Sequence, residues 1–140
     1  MTDKPTKQRV LILCTGNSAR SQVAEGWLRA AAGDRFDVFS AGSNPAGRVL
    51  PGAIQVLDEI RIDISQAESK HMNQFIEQQF DYVLTVCDNA REACPVFPGP
   101  AKRFHRNFDD PARYPADQQI EIFRRVRDEI AGWLTAVFDL

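Results

Sequence analysis

The stretch Arg9-Val-Leu-Ile-Leu13, followed directly by Cys14-Thr-Gly-Asn-Ser-Ala-Arg20-Ser21, decides the fold of this 140-residue chain. The apolar, β-branched run is typical of a strand that is buried on both faces of a parallel sheet. Residues 18–32 carry apolar side chains at helical spacing, and Gly33 ends the predicted helix. A strand, a loop of small residues and a helix in this order predict a ligand site at the carboxyl end of the strand.

The rest of the chain continues this alternation, and we predict one α/β domain over residues 1–140. Further strands are predicted at 36–40, 81–86 and 102–104, and further helices at 51–60, from an N-cap at Ser69, and at 118–138. Strands that alternate with helices indicate a parallel four-stranded sheet with helices on both faces. We find no internal repeat, low-complexity tract or linker in the sequence.

Composition limits the classes of function. The formal net charge of −2 argues against a general nucleic-acid or membrane-surface role. The polar N-terminus lacks a signal-peptide core, and no run approaches the roughly 20 apolar residues of a membrane helix, so we expect a cytoplasmic protein and, by default, a monomer. An odd number of cysteines, three, argues against a secreted disulfide scaffold. Redox chemistry, metal binding and plain burial of these thiols all remain open on composition alone.

The loop after the first strand has the features of an oxyanion site with a nucleophile. Small residues let successive backbone N–H groups converge, and the following helix adds about +0.5 elementary charge at its N-terminus. Together with the Arg20 guanidinium and the Ser21 hydroxyl, these features stabilise a thiolate at Cys14. The alternative is a buried cysteine beside an ordinary glycine turn. The predicted oxyanion-binding residues are Thr15, Gly16, Asn17, Ser18, Ala19 and Arg20.

The other two cysteines lie after the predicted strand at 81–86. A doubly wound order places this strand beside the first, about 4.8 Å away, so Cys87 and Cys14 should leave the same sheet edge. Seven helical steps would separate Cys87 from Cys94 by roughly 10.5 Å, whereas a disulfide tolerates about 4.4–6.8 Å. A Cys87–Cys94 bond therefore requires the intervening segment to loop out, and we expect this local unfolding to be inexpensive.

Other interpretations of this pair remain. Both cysteines could be inert, or they could form half of a zinc site. The spacing does not fit the Cys-x2–4-Cys pattern of zinc sites, and His71 and His105 do not form a second ligand pair. We therefore predict no metal site and interpret both histidines as surface or structural residues.

Asp109-Asp110-Pro111 forms a predicted turn after the last strand. A loop carboxylate near the oxyanion could protonate the departing oxygen as a general acid. Asp-Pro is also an ordinary turn dipeptide, so the pattern alone does not decide.

Two segments carry a resemblance to known proteins. The loop Cys14–Ser21 resembles that of the low-molecular-weight protein tyrosine phosphatases and the thioredoxin-coupled arsenate reductases, which share one fold. The stretch Thr85-Val-Cys-Asp-Asn-Ala-Arg-Glu-Ala-Cys94-Pro is similar to the redox segment of the reductases, which the phosphatases lack. The resemblance runs from about Arg9 to Ile130. Further matches are Glu25-Gly-Trp27, Ser40-Ala-Gly42, Asp63-Ile-Ser65, Phe108-Asp-Asp-Pro-Ala112 and Arg124-Arg-Val-Arg-Asp-Glu-Ile130.

The resemblance implies reduction of arsenate to arsenite. In this reaction Cys14 would be the nucleophile, and the loop backbone and Arg20 would bind the anion. It implies that Ser21 steadies the thiolate and that Asp110 is the general acid, which leaves Asp109 as a structural or capping residue. A relay from Cys14 through Cys87 to Cys94 would then be reduced by thioredoxin. A mycothiol or glutaredoxin route remains open. No bound cofactor is implied.

Two departures from the family pattern bear on substrate and metal. Ala112 and Arg113 stand where the phosphatases typically carry two tyrosines, which favours a small inorganic oxyanion over an aryl phosphate. A phosphatase and a non-catalytic arsenite-binding protein remain the rival hypotheses.

The second departure concerns a potassium site found in some reductases of this family. Asn17, Glu25 and Ser40 match three of its ligands, but Lys70 occupies the position of the aspartate. An ammonium group there could replace the ion, so we expect no potassium dependence.

Overall fold

The computed structural model describes residues 7–88 and 94–140. Its strands are β1 (Gln8–Cys14), β2 (Phe36–Gly42), β3 (Tyr82–Thr85) and β4 (Lys102–His105). Its α-helices are α1 (Arg20–Ala32), α2 (Pro51–Asp58) and α3 (Ala116–Phe138). Two short 3-10 helices lie at Met72–Phe75 and Pro111–Arg113. None of the helices in the described ranges is both long and apolar enough to cross a membrane.

The four strands form one parallel sheet in the order β2-β1-β3-β4. Along β1, Cys14 lies opposite Gly42 of β2, and Leu13 lies opposite Thr85 of β3. The backbone N–H of Val86 donates to the Leu13 carbonyl at 3.0 Å, which extends the pairing beyond β3. The predicted neighbourhood of the first and third strands is therefore confirmed. It brings the residues after β1 and β3 to one edge of the sheet.

Helical segments cover both faces of the sheet, but all three α-helices lie on the same face. Alternate β1 residues point to opposite faces, so Val10 and Ile12 pack with α1, α2 and α3, while Leu11 and Leu13 pack on the other side. That second face is covered by the 3-10 helix Met72–Phe75 and by the rings of Phe80 and Phe97.

An ion-pair network on the first face ties α2 to α3. Arg124 donates to Glu59 at 2.7 Å, and Arg127 donates to the same carboxylate at 2.9 Å. Hydrogen bonding from Arg124, with a smaller contribution from Arg127, holds the pKa of Glu59 below its ordinary value of 4.5. The network links elements that lie 65 or more residues apart in the sequence.

One predicted element is wrong. The helix expected from an N-cap at Ser69 is only the 3-10 helix Met72–Phe75, and its N-cap is His71, whose Nδ1 accepts from the Asn73 N–H at 3.0 Å. The Ser69 hydroxyl instead donates to the Gly16 carbonyl at 3.1 Å. The same oxygen accepts from the Gly47 N–H at 3.3 Å, so both bonds of the hydroxyl go to the loops at residues 16 and 47 and not to a helix.

The other elements differ from prediction only at their ends. Helix α1 begins two residues later than expected because Ser18 and Ala19 belong to the loop, and α3 begins two residues earlier, after Pro115. The expectation that His105 is structural fits its position at the end of β4, where its Nδ1 lies 2.6 Å from the Thr85 hydroxyl oxygen.

Candidate active site

Cys14 is the last residue of β1 and is almost fully buried, with 2% of its surface exposed. Its Sγ lies 2.9 Å from the Ser21 hydroxyl oxygen in the first turn of α1. The Asn17 backbone N–H donates to the same sulfur at 3.3 Å. A backbone N–H and a hydroxyl thus converge on a free thiol, and both can donate to the sulfur once it is a thiolate.

The loop between β1 and α1 turns its carbonyl groups outward. The Thr15, Gly16 and Ser18 carbonyls accept from the backbone N–H groups of residues 44, 46 and 50, at 2.9 Å in each case. The Asn17 carbonyl accepts from the Gln22 side chain at 3.1 Å. In a planar trans peptide the N–H of the next residue points away from the carbonyl. The N–H groups of residues 16–19 are therefore directed to the inside of the loop.

This inward orientation of the N–H groups would suit the binding of an anion. Several backbone donors face one point next to Sγ, and the N-terminus of α1 lies behind them. Gly42 on β2 lets the loop approach closely, because a Cβ there would collide with the Thr15 carbonyl oxygen. The sequence-predicted residues Thr15 to Ala19 therefore form one continuous turn around the sulfur.

Asn17 is the structural centre of the loop. It is fully buried and adopts a left-handed backbone conformation, with a φ of +46°. Its side-chain amide donates to Ser21 Oγ at 2.8 Å and to Ser40 Oγ at 2.9 Å. Its Oδ1 accepts from the Lys70 backbone N–H at 2.8 Å. Asparagine tolerates this backbone region better than most residues, and its side chain here holds three separate segments together.

Arg20 and Asp110 lie together beside the loop. The Arg20 side chain is 4% exposed, and its Nη1 donates to the Phe108 carbonyl at 3.3 Å. Its Nη2 lies 3.8 Å from Asp110 Oδ2. Asp110 Oδ1 accepts from the Ala112 N–H at 3.0 Å, so this residue also caps the 3-10 helix Pro111–Arg113. The structure therefore places the predicted anion ligand and the predicted acid within one ion pair.

Cys87 and Cys94 form a disulfide, with their Cα atoms 5.9 Å apart. This separation is far shorter than the roughly 10.5 Å of seven helical steps. Residues 89–93, on which the expectation of a looped-out segment falls, lie outside the described residues. Cys87 is fully buried, whereas Cys94 is partly exposed and lines a cavity of about 280 Å³ with Val96 and Phe104.

A buried carboxylate with two cationic neighbours lies behind the loop, at the position of the family potassium site. Glu25 is 4% exposed and lies 3.9 Å from Lys70 Nζ and 3.2 Å from Arg29 Nη1. The ammonium of Lys70 is thus close to the carboxylate, as expected for an internal cation. Within residues 7–88 and 94–140, no group of three His, Cys, Asp or Glu residues is arranged to hold a metal ion.

Sequence reasoning missed two contributors to the site. Gln22 is 1% exposed and its amide donates to Asn17 and, at 2.8 Å, to the Glu68 carbonyl. Ser69 supports Gly16, as described above. Asp109 was expected to be a structural or capping residue, and its ion pair with Arg125 of α3 fits the structural alternative, while Asp110 caps the following turn. An apolar face interrupted by glutamine at position 22 was the available signal for the first.

Comparison with known proteins gives this geometry a family. The profile of the low molecular weight phosphotyrosine protein phosphatases matches residues 9–139. An arsenate reductase of Halalkalibacterium halodurans is 45% identical over 126 residues, which cover 89% of this chain and 90% of that protein. This chain belongs to the arsenate reductases of that phosphatase family. The predicted resemblances to the phosphatase family and to the arsenate reductases are both confirmed.

Solved structures of the family agree with this assignment. An arsenate reductase in its phosphate-binding state superposes with a TM-score of 0.76 at 28% identity, over 93% of this chain and 95% of that chain. A thioredoxin-dependent arsenate reductase of Corynebacterium glutamicum gives a TM-score of 0.70 at 28% identity, over 95% of this chain and 63% of that chain. The predicted four-stranded α/β fold of the family is therefore confirmed as well.

Proposed function

We propose that this arsenate reductase works by passing one oxidation through Cys14, Cys87 and Cys94. One observation carries the proposal: a free thiol lies in the anion loop after β1, while the neighbouring strand β3 leads to a bonded pair of cysteines. A phosphatase needs only the first of these features. The paired thiols supply the two electrons that reduction of arsenate requires.

The first step is attack of the Cys14 thiolate on arsenic. A sulfur–arsenic bond forms, and one arsenic–oxygen bond breaks. Asp110 gives its proton to the departing oxygen, which leaves as water. Arg20 and the inward N–H groups hold the remaining oxygens and balance their charge.

The second step transfers the electrons. The Cys87 thiolate attacks Cys14 Sγ, so a sulfur–sulfur bond forms while the sulfur–arsenic bond breaks. Its electron pair stays on arsenic, which passes from the pentavalent to the trivalent state and leaves as arsenite. Phosphorus(V) does not accept electrons in this way, so a bound phosphate ends the cycle unreduced.

In the third step Cys94 attacks Cys87 and releases the Cys14 thiolate. The product would have a Cys87–Cys94 bond and a free Cys14, which is the bonding pattern of this structure. An external dithiol then reduces the bond. Because Cys87 is fully buried, we expect attack at Cys94, whose neighbour Val96 is 83% exposed.

We further propose thioredoxin as this dithiol and the cytoplasm as the compartment. The thioredoxin-dependent relative of Corynebacterium glutamicum supports the first proposal. A catalytic disulfide that must be reduced in every cycle fits a reducing compartment. We propose no bound cofactor, a monomeric state and no potassium requirement.

A phosphatase is the second candidate, since Cys14, Arg20 and Asp110 would suffice for it. An aromatic residue, Tyr114, follows the acid in the same loop, but its hydroxyl donates to Asp109 at 3.1 Å. The flanking Ala112 and Arg113 offer no ring to a phosphotyrosine. Hydrolysis of aryl phosphates should therefore be slow beside arsenate reduction. A protein that only binds arsenite would need neither the anion loop nor the acid.

The test is mass spectrometry of the disulfides present after one arsenate turnover, in the wild type and in each Cys→Ser variant. We expect Cys87–Cys94 in the wild type, Cys14–Cys87 in Cys94→Ser, and no arsenite from Cys14→Ser. Repeated turnover of Cys94→Ser with thioredoxin as the sole reductant would refute the third step. Aryl phosphate hydrolysis measured on the same samples separates the reductase from the phosphatase.

A further inference from the structure

Two neighbouring carboxylates in the loop before α3 point in different directions. Asp110 faces the anion loop, where its Oδ2 lies 3.8 Å from Arg20. Asp109 faces α3, where its Oδ2 accepts from Arg125 Nη2 at 2.6 Å. The backbone at Asp110 is extended, with φ −85° and ψ 110°, and successive side chains of an extended chain point to opposite sides. The orientation of one carboxylate therefore fixes that of the other.

Asp109 also closes the loop on itself. The same Oδ2 accepts from the Tyr114 hydroxyl at 3.1 Å, across the turn that contains Asp110. The Tyr114 carbonyl in turn accepts from Gln119 Nε2 of α3 at 2.8 Å. One carboxylate oxygen thus joins the two ends of the acid loop (residues 108–114) to a long helix. The hydrogen bond to Asp109 is the main reason that the pKa of Arg125 is raised.

The start of the acid loop has a separate anchor. Phe108 is 2% exposed, and its ring packs edge-on against Trp133 of α3 with the centroids 5.7 Å apart. Its carbonyl accepts from Arg20. This anchor fixes where the loop starts, but Asp110 lies two residues further on. On the far side of the acid, the loop is held through Tyr114, which contacts Asp109 and Gln119.

We propose that Asp109 is a positioning residue for the general acid, acting through Arg125 and Tyr114 to hold the Asp110 carboxyl at the departing oxygen. This inference rests on the proposed function, in which Asp110 is the proton donor. A general acid must lie within hydrogen-bond reach of the atom that it protonates. A displacement of about 1 Å from that geometry can cost on the order of a hundredfold in rate.

The pair of Asp109 and Arg125 is a poor candidate for a purely stabilising role. The two side chains are 35% and 43% exposed, and exposed ion pairs contribute little to folding. Removing it should therefore change the rate of the first chemical step more than it changes the melting temperature.

The experiment is a double-mutant cycle on single-turnover kinetics, with fully reduced protein mixed with arsenate and arsenite release followed in time. Asp109→Asn should slow the rate at saturating arsenate by about 10- to 100-fold. The arsenate concentration for half-maximal rate should change less than about twofold, since the anion ligands stay in place. In an Asp110→Asn background, Asp109→Asn should have no further effect, because the group that it positions is gone.

Three further measurements serve as controls for this test. Tyr114→Phe removes one hydrogen bond to the same oxygen and should slow the step in the same direction but less. Glu129→Gln removes the other partner of Arg125, 3.2 Å away on the helix side, and should leave the rate unchanged. Reduction of the Cys87–Cys94 bond by dithiothreitol should proceed at the wild-type rate in Asp109→Asn.

The outcomes separate this proposal from the one on which it rests. A full, multiplicative loss from Asp109→Asn in the Asp110→Asn background would show a role that does not pass through the acid. The same conclusion would follow if the melting temperature fell without a change in rate. A wild-type rate in Asp110→Asn alone would instead remove Asp110 as the general acid.

Discussion

Replacing Ser21 by alanine tests how the loop stabilises its nucleophile. The Ser21 hydroxyl oxygen accepts from the Asn17 amide at 2.8 Å and lies 2.9 Å from Cys14 Sγ. Since Asn17 supplies a donor to this oxygen, the hydroxyl hydrogen can point at the sulfur. The serine therefore donates to the thiolate, and the alanine variant loses that bond.

The size of the effect follows from the charge of the acceptor. A hydrogen bond to a charged group contributes about 1.5–3 kcal/mol, against about 1 kcal/mol for a neutral pair. The loss of thiolate relative to thiol should thus be on the order of 1–1.4 kcal/mol, or five- to tenfold in the thiolate–thiol equilibrium. The second donor, the Asn17 backbone N–H at 3.3 Å, remains and keeps the loss from being larger.

The assay is the rate of iodoacetamide alkylation of the oxidised protein. Because Cys87 and Cys94 are bonded to each other, Cys14 is the thiol that reacts. At pH values where the rate still rises with pH, Ser21→Ala should react about five to ten times more slowly than the wild type.

Ser40→Ala is the matched control. It removes the other acceptor of the Asn17 amide, at 2.9 Å, and leaves the donor to the sulfur in place. Equal rates for Ser21→Ala and the wild type, or equal slowing in both variants, would contradict the assignment of Ser21 as the donor to the thiolate.

Three other predictions concern metal dependence, the reductant and pH. Lys70→Met should melt a few degrees higher in potassium than in choline, unlike the wild type, because Glu25 loses its neighbouring ammonium. Val96→Asp should slow thioredoxin-dependent turnover about fivefold or more but leave turnover with dithiothreitol unchanged. Ile76→Asp, at another exposed apolar position, should affect neither rate. The lowered pKa of Glu59 means that its stabilising effect is complete above its ordinary value of 4.5 and is lost as the pH falls through its lower folded-state pKa. Calorimetry should therefore show a smaller acid-induced fall in melting temperature for Glu59→Gln.

The parts of the site that are local in sequence could be predicted from it. The loop after β1 needs small residues, a buried strand before it and a helix behind it, and all three are visible in residues 9–32. The exit of Cys14 and Cys87 at one sheet edge could be predicted from the order of strands in doubly wound sheets. The proposal of Asp110 as the general acid needed the family resemblance, since Asp-Pro turns are common.

The long-range support of the site could not be predicted. Ser69 has the sequence signature of a helix cap, yet its hydroxyl holds the Gly16 carbonyl 53 residues away. Asp109 and Asp110 are identical side chains in one turn, and their different partners, Arg125 of α3 and Arg20 of α1, lie on distant elements. Local patterns report hydrogen bonds within a few residues, whereas these contacts depend on how distant elements pack.

The outward carbonyls of the anion loop have a consequence for competition between phosphate and arsenate. Contacts from residues 44–50, Gln22 and Ser69 fix the peptide planes of the loop. Little further ordering of the loop is therefore needed when an oxyanion binds. We expect such a preformed set of donors to bind phosphate about as readily as arsenate, since both ions are tetrahedral oxyanions. The two ions then share occupancy in proportion to their abundance, so arsenate flux in a cell should follow the ratio of arsenate to phosphate and not the arsenate concentration alone. Phosphate starvation would, on this basis, speed detoxification with no change in the amount of enzyme.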